Sequence, residues 1–163
     1  MSNPTTAEST EVSSRQLEAL FRSDYVRLVR LASLLTRSQS TSEEVVQDAF
    51  IRLHRRWDNV DDPAAYVTQV VVNEARARLR RQAIERRHSP DPPEPVLPPE
   101  VDETFQLLSE LSPRRQVALV LRYYEDMAIE DMAEVMDCRP ATVKSLIQRG
   151  LTSLRRKLDA HTN

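Results

Sequence analysis

Residues 111–158, LSPRRQVALVLRYYEDMAIEDMAEVMDCRPATVKSLIQRGLTSLRRKL, decide the fold of this chain. Ser112 followed by Pro113 reads as a helix N-cap and a first helical position, where a missing N–H costs nothing. Val117, Val120, Leu121 and Tyr124 then recur at helical spacing, which predicts a helix ending near Glu125. Ile129, Met132, Ala133 and Met136 make a second, shorter apolar stripe. After Asp137-Cys138-Arg139 a third helix opens at Pro140, with Val143, Ile147, Leu151, Leu154 and Leu158 on one face. A short helix, a three-residue turn and a long helix make a helix-turn-helix, the arrangement that seats a recognition helix in the DNA major groove.

At about 100° per residue, the apolar stripe of the long helix leaves Ala141, Lys144, Ser145, Gln148, Arg149 and Thr152 on the opposite side. Lys and Arg supply phosphate contacts or bind guanine, and Gln and Ser hydrogen-bond base edges or backbone oxygens. An amphipathic helix with a solvated charged face has the same pattern, so this helix alone leaves both readings open. Gly150 inside it costs roughly 1 kcal/mol relative to Ala, which is either tolerated or allows close packing.

Composition bounds the rest. A chain of 163 residues suits one ordinary domain or two small ones, and a single Gly beside 10 Pro argues for helices separated by hard stops. No apolar run approaches the roughly 20 residues that a bilayer span requires, so no membrane partner is expected. Residues 1–14 are polar, rich in Ser, Thr and Glu, and lack the basic and apolar segments of a secretory signal, so they are expected to form a disordered tail. The lone Cys138 forms no intramolecular disulfide, and one Cys with 3 scattered His shows no metal-ligand spacing. A reduced, cytoplasmic setting is therefore expected, with no metal, no cofactor and no small-molecule substrate. Cys138, in the turn of the helix-turn-helix, reads as a small half-buried packing residue.

The formal net charge of -2 is unusual for a nucleic-acid binder, but the charges are segregated. Arg76, Arg78, Arg80, Arg81, Arg86 and Arg87 crowd one short stretch, whereas no Lys or Arg occurs between Arg87 and Arg114. That gap holds Asp91, Glu94, Glu100, Asp102, Glu103 and Glu110, together with Pro90, Pro92, Pro93, Pro95, Pro98 and Pro99. Blocks of opposite sign suggest separate surfaces with separate partners. The proline density favours an extended spacer over residues 88–100, able at about 3.1 Å per residue to hold two domains on the order of 35 Å apart. The expected organisation is all-α: a tail over 1–14, a helical domain over 15–87, the acidic Pro-rich linker, and a helix-turn-helix domain over 101–163.

In the first domain Leu17, Leu20, Phe21, Tyr25, Leu28, Ala32 and Leu35 trace one helix face. A second helix is expected from Thr41 or Ser42, with Glu43 and Glu44 in its first turn, as the helix dipole prefers. Its inward stripe is Val46, Phe50, Leu53 and Trp57, while Glu44, Gln47, Asp48, Ile51 and Arg55 share a mixed face elsewhere. Asp62-Pro63 starts a third helix, which runs through Val70-Val71-Val72 into the arginine cluster because 73–82 continues in good helix formers.

Two segments, Ser42-Glu-Glu-Val-Val-Gln-Asp-Ala-Phe-Ile-Arg-Leu53 and Leu111-Ser-Pro-Arg-Arg-Gln with Cys138-Arg-Pro-Ala-Thr-Val-Lys-Ser145, resemble the two domains of bacterial RNA polymerase sigma factors of the small extracytoplasmic-function group. Their order, the linker position and the length agree, and the likeness covers about residues 15–158. The resemblance implies a transcription initiation factor without catalytic residues of its own. It implies that the helix with Glu44, Gln47, Asp48 and Ile51 docks on a coiled coil of the polymerase largest subunit. Asn73, Arg76, Arg80 and Arg81 would meet the promoter −10 element, with a base captured in a pocket built from the 59–65 loop and neighbouring helix residues. Ala141, Thr142, Lys144, Ser145, Gln148 and Arg149 would meet the −35 element. The second domain would also sit on the polymerase flap, the acidic spacer would thread toward the RNA exit path, and an inhibitory anti-sigma protein is a partner common in such families.

The chain departs from the pattern where members often carry Gly at the place of Ala141 and Arg at the place of Leu146, which puts the −35 preference in doubt. Two rivals remain. A helix-turn-helix regulator acting without polymerase would leave the basic third helix, the face around Gln47 and the acidic spacer unexplained. A helical nuclease holding a metal on Glu43, Glu44 and Asp48 lacks a convergent His or Lys constellation.

Overall fold

The computed structural model describes residues 4–88 and 102–162. Within them the chain forms α1 (Pro4–Thr36), α2 (Gln39–Arg56), a 3-10 turn (Trp57–Asn59), α3 (Pro63–Arg86), α4 (Asp102–Ser109), α5 (Pro113–Tyr123), α6 (Ile129–Val135) and α7 (Pro140–Thr162). No strand occurs among the described residues. The linker expected over 88–100 lies outside them apart from His88.

The first module is an α1–α2–α3 bundle. Leu28, Leu31, Leu35, Val45, Val46, Leu53, Val67 and Val71 are all at most 1 % exposed, and each such aliphatic side chain contributes about 1.5 to 3 kcal/mol by leaving water. Phe21 closes one end by stacking on Tyr25 and meeting Phe50 edge-on at 4.9 Å. α3 starts where the sequence puts it, with the Asp62 carboxylate accepting from the Ala65 N–H at 3.0 Å and Pro63 at the first turn. The 70–72 run of valines is helix, with Val71 and Val72 buried.

Two helix starts and one capping bond differ from expectation. α1 begins at Pro4, so most of the stretch read as a disordered tail is continuous with the helix; no Gly or second Pro interrupts it and proline suits a first turn. α2 begins at Gln39 and not at Thr41 or Ser42. Ser38 is its cap, its hydroxyl accepting from the Thr41 N–H at 3.3 Å, so Glu43 and Glu44 lie beyond the first turn. Arg37 decides this register by turning the chain at φ 64, a left-handed end to α1 that a chain with one Gly fills with another residue. The freed capping-type residues Ser33, Thr36 and Ser42 instead hydrogen-bond one another in the buried α1–α2 corner, Thr36 to Ser42 at 2.8 Å. At α5, Ser112 occupies the cap position as expected, but its side chain makes no capping bond and its carbonyl accepts from the Arg115 and Gln116 N–H groups.

The second module packs α5 and α6 beneath α7 through Val117, Leu121, Met132, Met136 and Val143, each fully buried. α4, not anticipated from the sequence, adds Leu108 to this core. Leu158, expected on the inner face of α7, is 49% exposed because α7 outruns its support. Gly150 is buried, and a Cβ there would stand 3.0 to 3.3 Å from three carbons of the Leu119 side chain. Close packing is therefore the reason for glycine. Gly150→Val should destabilise the module by about 1 to 3 kcal/mol despite its better helix propensity than glycine, measured by denaturant unfolding.

The two modules touch. α5 packs on α1 and α3, and α6 packs on α3. A reading of proline density gives the reach of a tether and says nothing about whether the faces it joins attract, and here the modules lie against each other rather than far apart.

Candidate nucleic-acid interface

α7 presents Ala141, Lys144, Gln148, Arg149 and Thr152 to solvent, with Thr142 and Ser145 half-buried at the edges. Beneath them Val143 is fully buried and Leu146, Ile147, Leu151 and Leu154 pack on the core. Leu146 thus packs partly against the core rather than standing clear on the outer face. Ser153 donates to the Arg149 carbonyl at 2.9 Å and accepts from Arg115 of α5 at 3.1 Å, tying the helix to its support. The turn before it is tight. Asp137 adopts φ 49, the Cys138 N–H donates to the Ala133 carbonyl at 3.0 Å, and Cys138 is half-buried as expected. Arg122 donates to the Met127 carbonyl at 3.1 Å and fixes the loop between α5 and α6. A rigid hand therefore carries an exposed row of short and cationic side chains.

On α3, Asn73 and Arg80 are exposed, Arg81 also, and Arg76 is half-buried. Arg76 donates to the Met136 carbonyl of the second module at 3.1 Å. Burial, then the neighbouring Arg80 and Arg114 guanidinium groups, push its pKa below the ordinary arginine value. Crowded cations of this kind favour a polyanion nearby. Arg78 reaches back to Glu44 at 3.5 Å, and Glu74 holds Arg52 at 2.8 Å.

On α2, Glu44, Gln47, Asp48 and Ile51 are all exposed, Ile51 at 49%, and they share the face away from Val45, Val46, Ala49 and Leu53. An open apolar residue ringed by acid and amide groups suits a protein partner better than a phosphate backbone.

Between the end of α2 and the start of α3 lies a pocket of about 460 Å³ lined by Arg56, Asn59, Val60, Asp61 and Tyr66. A neighbouring one is lined by Arg52, Arg55, Arg56, Tyr66 and Val70. The 59–65 loop expected to form a pocket does so with Asn59, Val60 and Asp61. The neighbouring helix residues that the sequence reading expected without naming are Arg56 and Tyr66, one from the helix on either side; an aromatic four residues past Asp62 in a cation-rich corner was the signal that could have named one of them.

Residues 20–84 match the family model Sigma-70 region 2, and residues 102–154 match Sigma-70, region 4. Over 153 residues the chain is 30% identical to the ECF RNA polymerase sigma factor SigM of Mycobacterium tuberculosis, an alignment covering 86% of this chain and 76% of that one. The chain belongs to the ECF RNA polymerase sigma factors. It is 27% identical over 157 residues to the RNA polymerase sigma-E factor of Streptomyces avermitilis, with 88% of each chain covered. Its fold resembles that of the sigma factor RpoE from Bartonella quintana, solved with the anti-sigma factor NepR, at a TM-score of 0.67 and 20% identity over 90% of this chain and 96% of that one. As an ECF sigma factor the protein is a transcription initiation factor that directs RNA polymerase to promoters. No helix among the described residues is long and apolar enough to cross a membrane, and no group of residues there is suited to a metal ion.

Proposed function

We propose that this sigma factor reads the −35 element with Ala141, Thr142, Lys144, Ser145, Gln148 and Arg149, holds the −10 element with Asn73, Arg76, Arg80 and Arg81, and docks on the polymerase through Glu44, Gln47, Asp48 and Ile51. The observation that carries the reading is the split character of α7. Its underside is locked by Val143, Ile147 and the Gly150–Leu119 contact, and its outer face offers Lys144, Gln148 and Arg149. A helix so supported enters a groove without repacking, and its cations and amides match phosphate and base edges.

At the −10 element a strand must leave the duplex, at a stacking cost of roughly 1.4 kcal/mol per step. The pocket beside Tyr66 suits an extruded base, since an aromatic face stacks on any base and Arg56 supplies charge for its phosphate. Arg80 and Arg81 stand exposed on α3 to track the same strand. The polymerase carries out nucleotide addition; this chain contributes position and specificity, and catalytic groups are not part of its role.

The α2 assignment is tested with Gln47→Ala combined with Asp48→Ala in the full chain. Polymerase affinity should fall by about 1 kcal/mol or more, roughly fivefold in Kd, while binding to −35 duplex DNA in the absence of polymerase stays unchanged. Unaltered polymerase affinity would overturn that face as the docking surface.

A further inference from the structure

The segment between the 3-10 turn and α3 is a ridge with a cavity on either side. On one side lies the pocket with Arg56, Asn59 and Tyr66. On the other, between the ridge and α1, runs a groove of about 470 Å³ lined by Gln16, Leu20, Trp57, Asp62, Pro63 and Ala64. Val60 and Asp61 line both, so the two cavities share a wall. Both volumes fall within the roughly 300 to 1,000 Å³ of small-ligand clefts.

Local structure fixes each part of the groove. Gln16 and Leu20 stand four residues apart on α1 and so share a face. Trp57 follows α2 directly and packs half-buried against the core, which holds its ring in place. Asp62 caps α3 through one carboxylate oxygen, and a carboxylate has a second oxygen with which to accept. Gln16 lies before residue 20, where the match to region 2 begins, so part of the groove lies outside the family match.

We propose that this groove receives a second unpaired base of the −10 strand, adjacent to the one in the pocket beside Tyr66, and selects bases that carry an exocyclic amino group. The proposal rests on the −10 reading given above. Neighbouring bases of a melted strand are one sugar–phosphate apart, so a strand laid across the ridge sends them to opposite sides. Charge distinguishes those sides. Arg52, Arg55 and Arg56 on the pocket side hold phosphate, whereas no cation among the described residues lines the groove. Asp61 and Asp62 there repel phosphate and accept from amino groups. Trp57 offers a stacking surface that tolerates any base, so identity falls to the acidic rim. Adenine, cytosine and guanine present amino groups at N6, N4 and N2, and thymine presents none. Thymine is therefore the base that the groove rejects.

Trp57 is the only tryptophan, so its emission in the full chain reads the groove directly. A single-stranded oligonucleotide of the −10 sequence that the holoenzyme selects should quench it. At saturating concentration, an abasic nucleotide at one position should remove the quenching, and one at the adjacent position should leave it. Quenching that no single abasic position removes would overturn the proposal. Affinity of polymerase holoenzyme for forked promoter DNA gives a second readout. Ala64 is exposed in the first turn of α3, where an acidic residue suits the helix, so Ala64→Glu fills the groove without touching the core. It should abolish the discrimination against thymine at that one position and weaken binding of the other three bases there about fivefold or more. Tyr66→Leu should instead weaken binding at the adjacent position only. Discrimination retained at every position in Ala64→Glu would overturn the groove and leave the pocket beside Tyr66 standing. Loss at the same position in both variants would mean that one base fills both cavities, which overturns a second base. No effect of either variant at any position would overturn the −10 reading itself. Weaker binding of Ala64→Glu to core polymerase without DNA would make the groove a protein contact and overturn its role with a base.

Discussion

Leu121→Ala is expected to cost the C-terminal module about 2 to 5 kcal/mol, enough to leave a large fraction of it unfolded. Leu121 is fully buried on α5, between the helix that supports α7 and the loop whose Met127 N–H donates to the Leu121 carbonyl at 3.0 Å. Removing three of its four side-chain carbons loses their transfer energy and opens a cavity in a core whose other members, Met132 and Met136 among them, have no exposed surface to spare. A module of about 60 residues is held by only a few kcal/mol in total. Chemical denaturation of the full chain should then show an early transition for this module, and −35 duplex binding should be lost while binding to core polymerase through α2 persists. An unchanged denaturation midpoint would mean that the α5–α7 packing does not hold the recognition helix in place.

Lys144→Ala combined with Arg149→Ala should weaken −35 duplex binding by about 2 to 6 kcal/mol, each side chain contributing about 1 to 3 kcal/mol when it reads a base. Both are exposed and five positions apart on a helix clamped from below, so neither change disturbs the core. The single substitutions separate the two roles. A side chain on a base relaxes specificity at one position, whereas one on a phosphate weakens all sequences alike and lowers the salt dependence of binding by about one ion. Equal affinity of the double variant and the parent for the same duplex would remove α7 from the −35 element.

Much of the fold was legible because the chain marks its helix starts with proline. Pro63, Pro113 and Pro140 each open a helix, and the apolar spacing between them predicts which faces are buried, down to Val143 and Leu53. The start of α2 was not legible, because Ser38, Ser40, Thr41 and Ser42 are all good caps and only the left-handed Arg37 selects among them. With one Gly in the chain, the left-handed positions among the described residues fall to Arg37, Asp126 and Asp137, and composition alone cannot reveal them. The outward face of α7 was readable from helical period, since local geometry fixes it. The contact of Gln116 with Leu34 and the tie of Arg76 to Met136 were not, since each depends on two modules meeting across dozens of intervening residues. That neighbouring helix residues share the pocket with the 59–65 loop was legible, but their identity as Arg56 and Tyr66 was not, since it depends on how the ends of α2 and α3 meet.

Transcription reconstituted from purified core polymerase on a randomised promoter library tests the central claim most directly. The account predicts start-site-specific transcripts only when this chain is added, with enriched sequence at two separated upstream positions, the farther one altered by changes at Lys144 or Arg149 and the nearer one by changes at Arg80 or Arg81. Failure to bind core polymerase, or binding that yields no start-site-specific transcript from any template, would contradict it.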